Sequence, residues 1–406
     1  MKTDCASKRR VSPSLGLVLV FVAWGSAAAA QERAPNSQVG ASIAPATEGV
    51  SQTRGEAAGV PAWDMVPVFA GGFTVGLRLG DGRGDGTARL YATQINNTIR
   101  EFAYQGAWAN TSNINLPFYS EGALLVGDGR GKGAAHVYAA GFNTGDVSEF
   151  TWDGASWMGS AMGTVGAQLI AAVLCDPRGD GRIHLYFSVG SAPPNNISYE
   201  FTFEETAWSP AAIASPLPVS VTDGAFGIAT GDARNDGVHR LYQGVFDAIA
   251  GTNYVYELSW NGSGWDALQV VNIGSGPPSQ VMAITVGDGR NELANRLYVL
   301  SRGLGLRELV YDGTAWTQTD NIDVGTEVFD LVIGQGQNDF ENRLYLAQLS
   351  PSRVLEVTFD GAAWQTAVVG TPAGGVFRVG VGDARGDMVN RVYSSGGSGV
   401  VEFTHQ

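Results

Sequence analysis

One phrase recurs seven times along this chain, and it constrains the fold more than any other feature. It first appears as Gly80-Asp81-Gly82-Arg83-Gly84-Asp85-Gly86 and ends in Arg89-Leu90-Tyr91. It returns at Gly127-Asp128, Cys175-Asp176, Gly231-Asp232, Gly287-Asp288, Gly334-Gln335 and Gly382-Asp383. A tyrosine follows each time: Tyr91, Tyr138, Tyr186, Tyr242, Tyr298, Tyr345 and Tyr393. Successive anchors lie 47, 48, 56, 56, 47 and 48 residues apart. A helical solenoid of that period needs long apolar-periodic segments, but Gly and Asn interrupt every apolar run here, and the runs are rich in Val, Tyr, Phe and Trp. The period is that of a propeller blade. The expected fold is all-β, a seven-bladed β-propeller of four-stranded blades.

Each unit reads as four short strands. The first precedes the anchor, as in Gly76-Leu77-Arg78-Leu79, and the second carries the tyrosine. The third carries a glutamate before an apolar residue: Glu101, Glu149, Glu200, Glu257, Glu308, Glu356 and Glu402. A turn such as Asp312-Gly313 or Asn261-Gly262 follows. A tryptophan then opens the fourth strand at Trp108, Trp157, Trp208, Trp265, Trp316 and Trp364. The last unit has no such tryptophan, because the sequence ends at Gln406 after the third strand. Trp63 supplies the missing piece. It lies 18 residues before Asp81, close to the 19 to 24 that separate the other tryptophans from their next anchors. The N-terminal strand is therefore expected to complete the C-terminal blade and close the ring, which leaves only short, protected sheet edges.

Residues 1–30 read as an export signal. Lys8, Arg9 and Arg10 precede a short apolar stretch from Leu15 to Trp24, and Ala28-Ala29-Ala30 offers a small-residue cleavage site. Residues 31–59, rich in Ala, Ser, Gly, Pro, Gln and Glu, read as a flexible linker. The propeller is expected over 60–406. Loss of the signal removes four basic residues and one acidic residue and takes the formal charge from −14 to −17. That balance argues against nucleic acid and anionic membrane surfaces as partners. It also leaves Cys175 as the lone thiol, so no intramolecular disulfide forms and stability must come from packing. The expected location is periplasmic or extracellular, and the expected state is a monomer.

The Asp/Gly anchors resemble those of the FG-GAP and VCBS repeat propellers, in which the loop between first and second strands can hold calcium. The resemblance implies acidic ligands at loop positions one, three, five and nine. This chain departs from that pattern. With Asp81 at position one, position three is Arg83 and position nine is Arg89; the other units carry Arg, His or Gln at these places. Calcium takes six or more oxygens, and a guanidinium repels it. The reading is instead an ion-pair loop, in which Asp81 and Asp85 pair with Arg83 and Arg89, and Asp232 and Asp236 with Arg234 and Arg240, since the planar fork of Arg suits carboxylates. No cofactor is expected, with calcium kept as the disfavoured alternative.

Catalytic chemistry is not evident. No HExxH, GxSxG or paired His-Cys spacing occurs. His136 and His184 occupy a repeat position otherwise held by Arg, and His239 is a neighbour in the same kind of loop. Cys175 replaces an anchor glycine and reads as a small buried residue. Groups repeated in all seven units read as structure, because an active site needs only one or two. Function is therefore expected in the loops that vary. On the face built by the second-to-third and fourth-to-first strand loops, the candidate ligand-binding residues are Phe118, Tyr119, Glu121, Asn143, Asn196, Asp247, Arg302 and Arg353. Three functions remain open: a non-catalytic binding module for an extracytoplasmic protein or glycan, a carbohydrate-binding lectin, and a polysaccharide lyase or glycosidase on a propeller. The first is favoured.

Overall fold

The computed structural model describes residues 62–190, 196–214, 227–247, 250–275 and 280–406. The expected signal and linker, and the Pro193-Pro194 loop, lie outside them. The described residues form seven four-stranded antiparallel sheets and no helix. Blade 1 consists of Thr74–Gly80, Arg89–Gln94, Thr98–Tyr104 and Trp108–Asn115 in that order. The first strands of blades 2 to 6 are Leu124–Gly127, Leu169–Cys175, Ile228–Gly231, Val281–Gly287 and Glu327–Gly334. Blade 7 takes Val376–Gly382, Arg391–Gly396 and Gly399–His405 from the C-terminus, and its outer strand is Trp63–Ala70. The predicted closure is present: Met65 lies opposite Phe403 and Val66 opposite Glu402.

The register explains the repeat. In every blade the tyrosine of the second strand stands directly opposite the glutamate of the third, from Tyr91 and Glu101 to Tyr393 and Glu402. All seven tyrosines and all seven glutamates are buried. Side chains alternate across a strand, so Leu90, Val137 and Leu185, each beside its tyrosine, are turned into the other face and are also buried.

The tryptophans join blade to blade. Trp157 of blade 2 meets Tyr91 of blade 1 edge-on, with ring centroids 6.1 Å apart and planes at 85°. The same contact links Trp208 to Tyr138, Trp265 to Tyr186, Trp316 to Tyr242 and Trp364 to Tyr298. Trp63 to Tyr345 and Trp108 to Tyr393 complete the circuit across the joined ends. Each such pair contributes about 0.5–1.5 kcal/mol beyond area burial. Apolar clusters spanning neighbouring blades, such as Tyr91, Ile114, Phe118, Val137 and Phe150, fill the space between the sheets.

Candidate functional site

The repeated polar residues are consumed by the scaffold. Arg83 donates from Nε and Nη2 to Glu101 at 3.0 and 2.5 Å, and its guanidinium lies 3.6 Å from the ring centre of Trp152 in blade 2. Arg130, Arg178, Arg234, Arg290 and Arg385 repeat this arrangement with Glu149, Glu200, Glu257, Glu308 and Glu402. Each also covers an aromatic ring of the next blade: Phe203, Trp260, Tyr311, Phe359 and Tyr104. In blade 6 the neutral Gln337 takes the place of the arginine and donates to Glu356 at 2.8 Å. His405, opposite Trp63 in blade 7, holds the position that an aromatic residue takes in the other blades.

The expected ion-pair loops are arranged differently from the sequence reading in one respect. Arg89 does bond Asp85, at 2.8 and 2.6 Å, and Arg240 bonds Asp236 at 2.8 and 2.7 Å. Arg83 and Arg234, however, pair with the strand glutamates and not with the loop aspartates. The reason is burial: a carboxylate as enclosed as Glu101 must have a charged partner. Asp81 stands 3.7 Å from Arg89, as expected, and caps its own loop. It accepts from the backbone N–H of Asp85 at 3.1 Å and of Gly86 at 2.6 Å; Asp232 does the same for Asp236 and Gly237. The Arg89 hydrogen bonds hold Asp85 well below the usual carboxylate range, and those of Arg240 hold Asp236 at about 2.

This donor set does not fit calcium. The Asp81 and Asp232 oxygens face N–H donors, and Asp85 and Asp236 face guanidinium groups. In blade 3, Asp176, Asp180 and His184 converge. There too Asp176 caps Asp180 and Gly181 at 3.2 and 2.8 Å, and His184 stands 3.3 Å from Asp180 and 3.1 Å from Glu200 as the arginine does elsewhere. His136 bonds Thr151 at 3.1 Å; burial lowers its pKa, against the pull of Glu149. Cys175 is buried, which pushes its thiol up to about 12.

What is not repeated lies along the axis. The first strands surround a channel of about 490 Å³. Opposite the tyrosines its wall carries Leu125, Val173, Ala229, Thr285, Val332 and Gly380, but in blade 1 the residue is Arg78. Two residues earlier, small Gly227 and Ala283 contrast with Asp330 in blade 6 and Arg378 in blade 7. Arg78, Asp330 and Arg378 are the charged side chains of the lining, and they stand on three consecutive blades.

Their bonds leave cationic capacity over. Arg78 donates to its own neighbour, the carbonyl of Leu77, at 2.8 Å. Arg378 donates to the carbonyl of Glu121 at 3.3 Å. Asp330 accepts from the Val379 N–H at 3.0 Å. Among the described residues, neither arginine has a carboxylate within ion-pair distance. Burial lowers the pKa of Arg78; Asp330 opposes that shift and Arg378 adds to it. At the end of the channel where the first strands begin, Phe377 packs against Phe73 at 4.9 Å and Phe329 at 5.7 Å.

The sequence candidates divide around this channel. Tyr119 donates to Glu121 at 3.0 Å, and Glu121 lies within the field of Arg378. Burial raises the Glu121 pKa, while Tyr119 and Arg378 draw it down. Arg302 pairs with Glu327 at 3.0 Å and lies 5.6 Å from the ring centre of Phe329. Phe118 is buried in the core between blades 1 and 2, which withdraws it from the surface. Asn143 is exposed, Asn196 donates to Tyr199 at 3.1 Å, Asp247 accepts from Ala250 at 3.1 Å, and Arg353 donates to Gln348. None of these four lines the channel. Arg78, Asp330 and Arg378 were missed although the signal was present: charged residues where the other units carry small or aliphatic ones.

No protein-family model matches the chain, and no curated protein does. Among solved structures, the chain is similar to BBS1N, determined in complex with ARL6DN, at 13 % identity and TM-score 0.58, covering 85 % of this chain and 97 % of that one. It is also similar to YCF48 bound to D1 peptide, at 11 % identity and TM-score 0.51, covering 86 % and 98 %. At these identities the likeness is one of fold: the chain is a seven-bladed β-propeller.

Proposed function

We propose that this protein is an exported, non-catalytic binding propeller that receives an anionic group of its ligand, protein or glycan, in the central channel on Arg78 and Arg378. The observation that carries the reading is the excess of cation there. Two guanidinium groups and a single carboxylate line the channel, and neither guanidinium reaches that carboxylate at ion-pair distance, in a chain of formal charge −14. Charges withdrawn from water without a partner are costly, and an incoming carboxylate or phosphate would supply the partner in bidentate form. The aromatic rings at Phe73, Phe329 and Phe377 offer an apolar contact beside it. The BBS1N and YCF48 structures, each determined with a bound protein or peptide, accord with a propeller used for binding. The proposal includes no metal.

A lectin reading draws on a different observation. A cleft of about 350 Å³ between blades 1 and 2 presents Trp157, Asn113, Asn115 and Ser160, a ring and amides suited to a sugar. A glycan array with neutral and acidic members, run beside a polysaccharide depolymerisation screen, separates the readings. Acidic glycans retained by the wild type and lost in R78L/R378L support the channel. Neutral glycans retained by both support the cleft. Turnover of any polysaccharide overturns the non-catalytic reading.

A further inference from the structure

The loops between first and second strands break their own rule in three consecutive blades. Five residues after the anchor, blades 1 to 4 carry Gly86, Gly133, Gly181 and Gly237 at φ of 81°, 81°, 78° and 81°. A left-handed backbone admits glycine without steric cost. Blades 5, 6 and 7 carry Leu293, Phe340 and Met388 at the same place, with φ of 61°, 67° and 63°. Such residues are strained there. They gain no packing in return, since their exposures are 98 %, 88 % and 93 %.

The same loops are tied side by side. Three residues after the anchor, blades 4, 5 and 6 carry Asn235, Asn291 and Asn338 where the others have glycine. Asn291 accepts from the N–H of Asn342 at 2.7 Å and donates to its carbonyl at 3.1 Å. Asn338 does likewise with Asn390 at 2.6 and 2.8 Å, and Asn235 with Asn295 at 2.7 and 3.0 Å. These latches bind the loop of each apolar residue to the next, so Leu293, Phe340 and Met388 stand as a fixed row.

The charges around the row face outward with one sign. The side chains of Arg296, Arg343 and Arg391 are only 12 %, 8 % and 6 % exposed. Their partners Glu292, Asp339, Glu341 and Asp387 are 47 %, 40 %, 61 % and 42 % exposed. An apolar row with an acidic rim sits at the end of the first strands opposite Phe73 and Phe377.

We propose that this row is a second interaction surface, which docks a protein segment with an apolar face bordered by Lys or Arg. The acidic rim selects that occupant: it repels a second copy of itself and repels an anionic membrane. The surface is distinct from the channel and acts whether or not the channel binds a ligand.

The test uses the full chain and L293G/F340G/M388G, which installs the residue that blades 1 to 4 carry. Glycine suits the backbone there, so the variant is expected to fold with an equal or higher Tm. The probe is a fluorescent model helix with leucines on one face and lysines on the other, followed by anisotropy. The wild type is expected to bind it at least tenfold more tightly than the variant, to lose affinity as salt rises, and to keep it in R78L/R378L. Equal binding by wild type and glycine variant overturns the proposal. So does sedimentation showing self-association that depends on the three side chains, or their dependence in binding to vesicles of phosphatidylglycerol.

Discussion

Trp63 meets Tyr345 edge-on, with ring centroids 6.3 Å apart and planes at 86°. The two residues are 282 positions apart in the chain, and their contact is the seventh copy of one made six times elsewhere. It joins the N-terminal strand, itself part of blade 7, to blade 6. Trp63→Ala removes that contact and loosens the strand that closes the ring. The expected loss is about 3 kcal/mol, in the range for large aromatic truncations, read from the urea midpoint. An equal loss is expected for Trp208→Ala, which occupies the same place within an unbroken run of chain. A much smaller effect at Trp63 would mean that the ring tolerates opening at its joint.

In six of the seven blades the loop arginine ties its own blade to the next, and breaking one such tie should be costly. Arg83→Met leaves the buried Glu101 carboxylate with only the more distant Arg89, 3.7 Å away, as its cation, and a loss of about 3 kcal/mol is expected, the low end for a broken buried pair. The double variant Arg83→Met with Glu101→Gln should recover part of that loss. Blade 6 offers the reverse experiment. Gln337→Arg gives Glu356 the close guanidinium that its counterparts have, in addition to Arg343 at 3.9 Å, and should raise stability by about 1 kcal/mol, by analogy with hydrogen bonds to charged groups. Chemical denaturation of the four proteins checks both statements.

Acid should weaken the fold in a defined window. The guanidinium hydrogen bonds of Arg89, Arg240, Arg343 and Arg391 lower the carboxyls of Asp85, Asp236, Asp339 and Asp387. A depressed folded-state pKa contributes stability above the unfolded value, roughly 3.9, and that contribution is lost as pH falls through the folded value. For Asp236 that value is about 2. His136 acts in the same direction at higher pH, because its lowered pKa means the unfolded chain binds its proton first. Urea midpoints measured from pH 7 to 2 should therefore decline, with the steepest fall between about pH 4 and 2. Asp236→Asn should flatten part of that fall.

The loops that resemble calcium sites should be indifferent to calcium. Asp81 and Asp232 already accept two backbone N–H bonds each, and Asp85 and Asp236 are bonded to Arg89 and Arg240. Millimolar calcium or EDTA is expected to leave Tm unchanged. A rise of several degrees with calcium, lost in Asp81→Asn, would contradict the donor geometry.

Most of the scaffold was legible in the amino-acid sequence, because repetition exposes it. Tyrosine, glutamate and tryptophan recur at spacings that only a four-stranded blade satisfies, and the missing tryptophan of the last unit pointed to Trp63. Tyr119, Glu121 and Arg302 stand out in the sequence only as residues of variable loops; the Tyr119–Glu121 and Arg302–Glu327 pairings come from the fold. Phe118 could not be told from them, because exposure of a loop residue depends on which neighbouring sheet covers it.

What the chain alone could not decide was which partner each charge would take. Arg83 stands two residues from both Asp81 and Asp85 in sequence, and proximity favours them. Its bond goes to Glu101, 18 residues away, because folding buries that carboxylate and leaves it no water. Arg78, Asp330 and Arg378 lie in three units that no local pattern connects; only closure of the ring brings their strands around one axis. Periodicity is a property of the sequence, and so the blades were readable from it. Burial and convergence are properties of the closed ring, and so the pairing of charges and the channel they line belong to the tertiary structure.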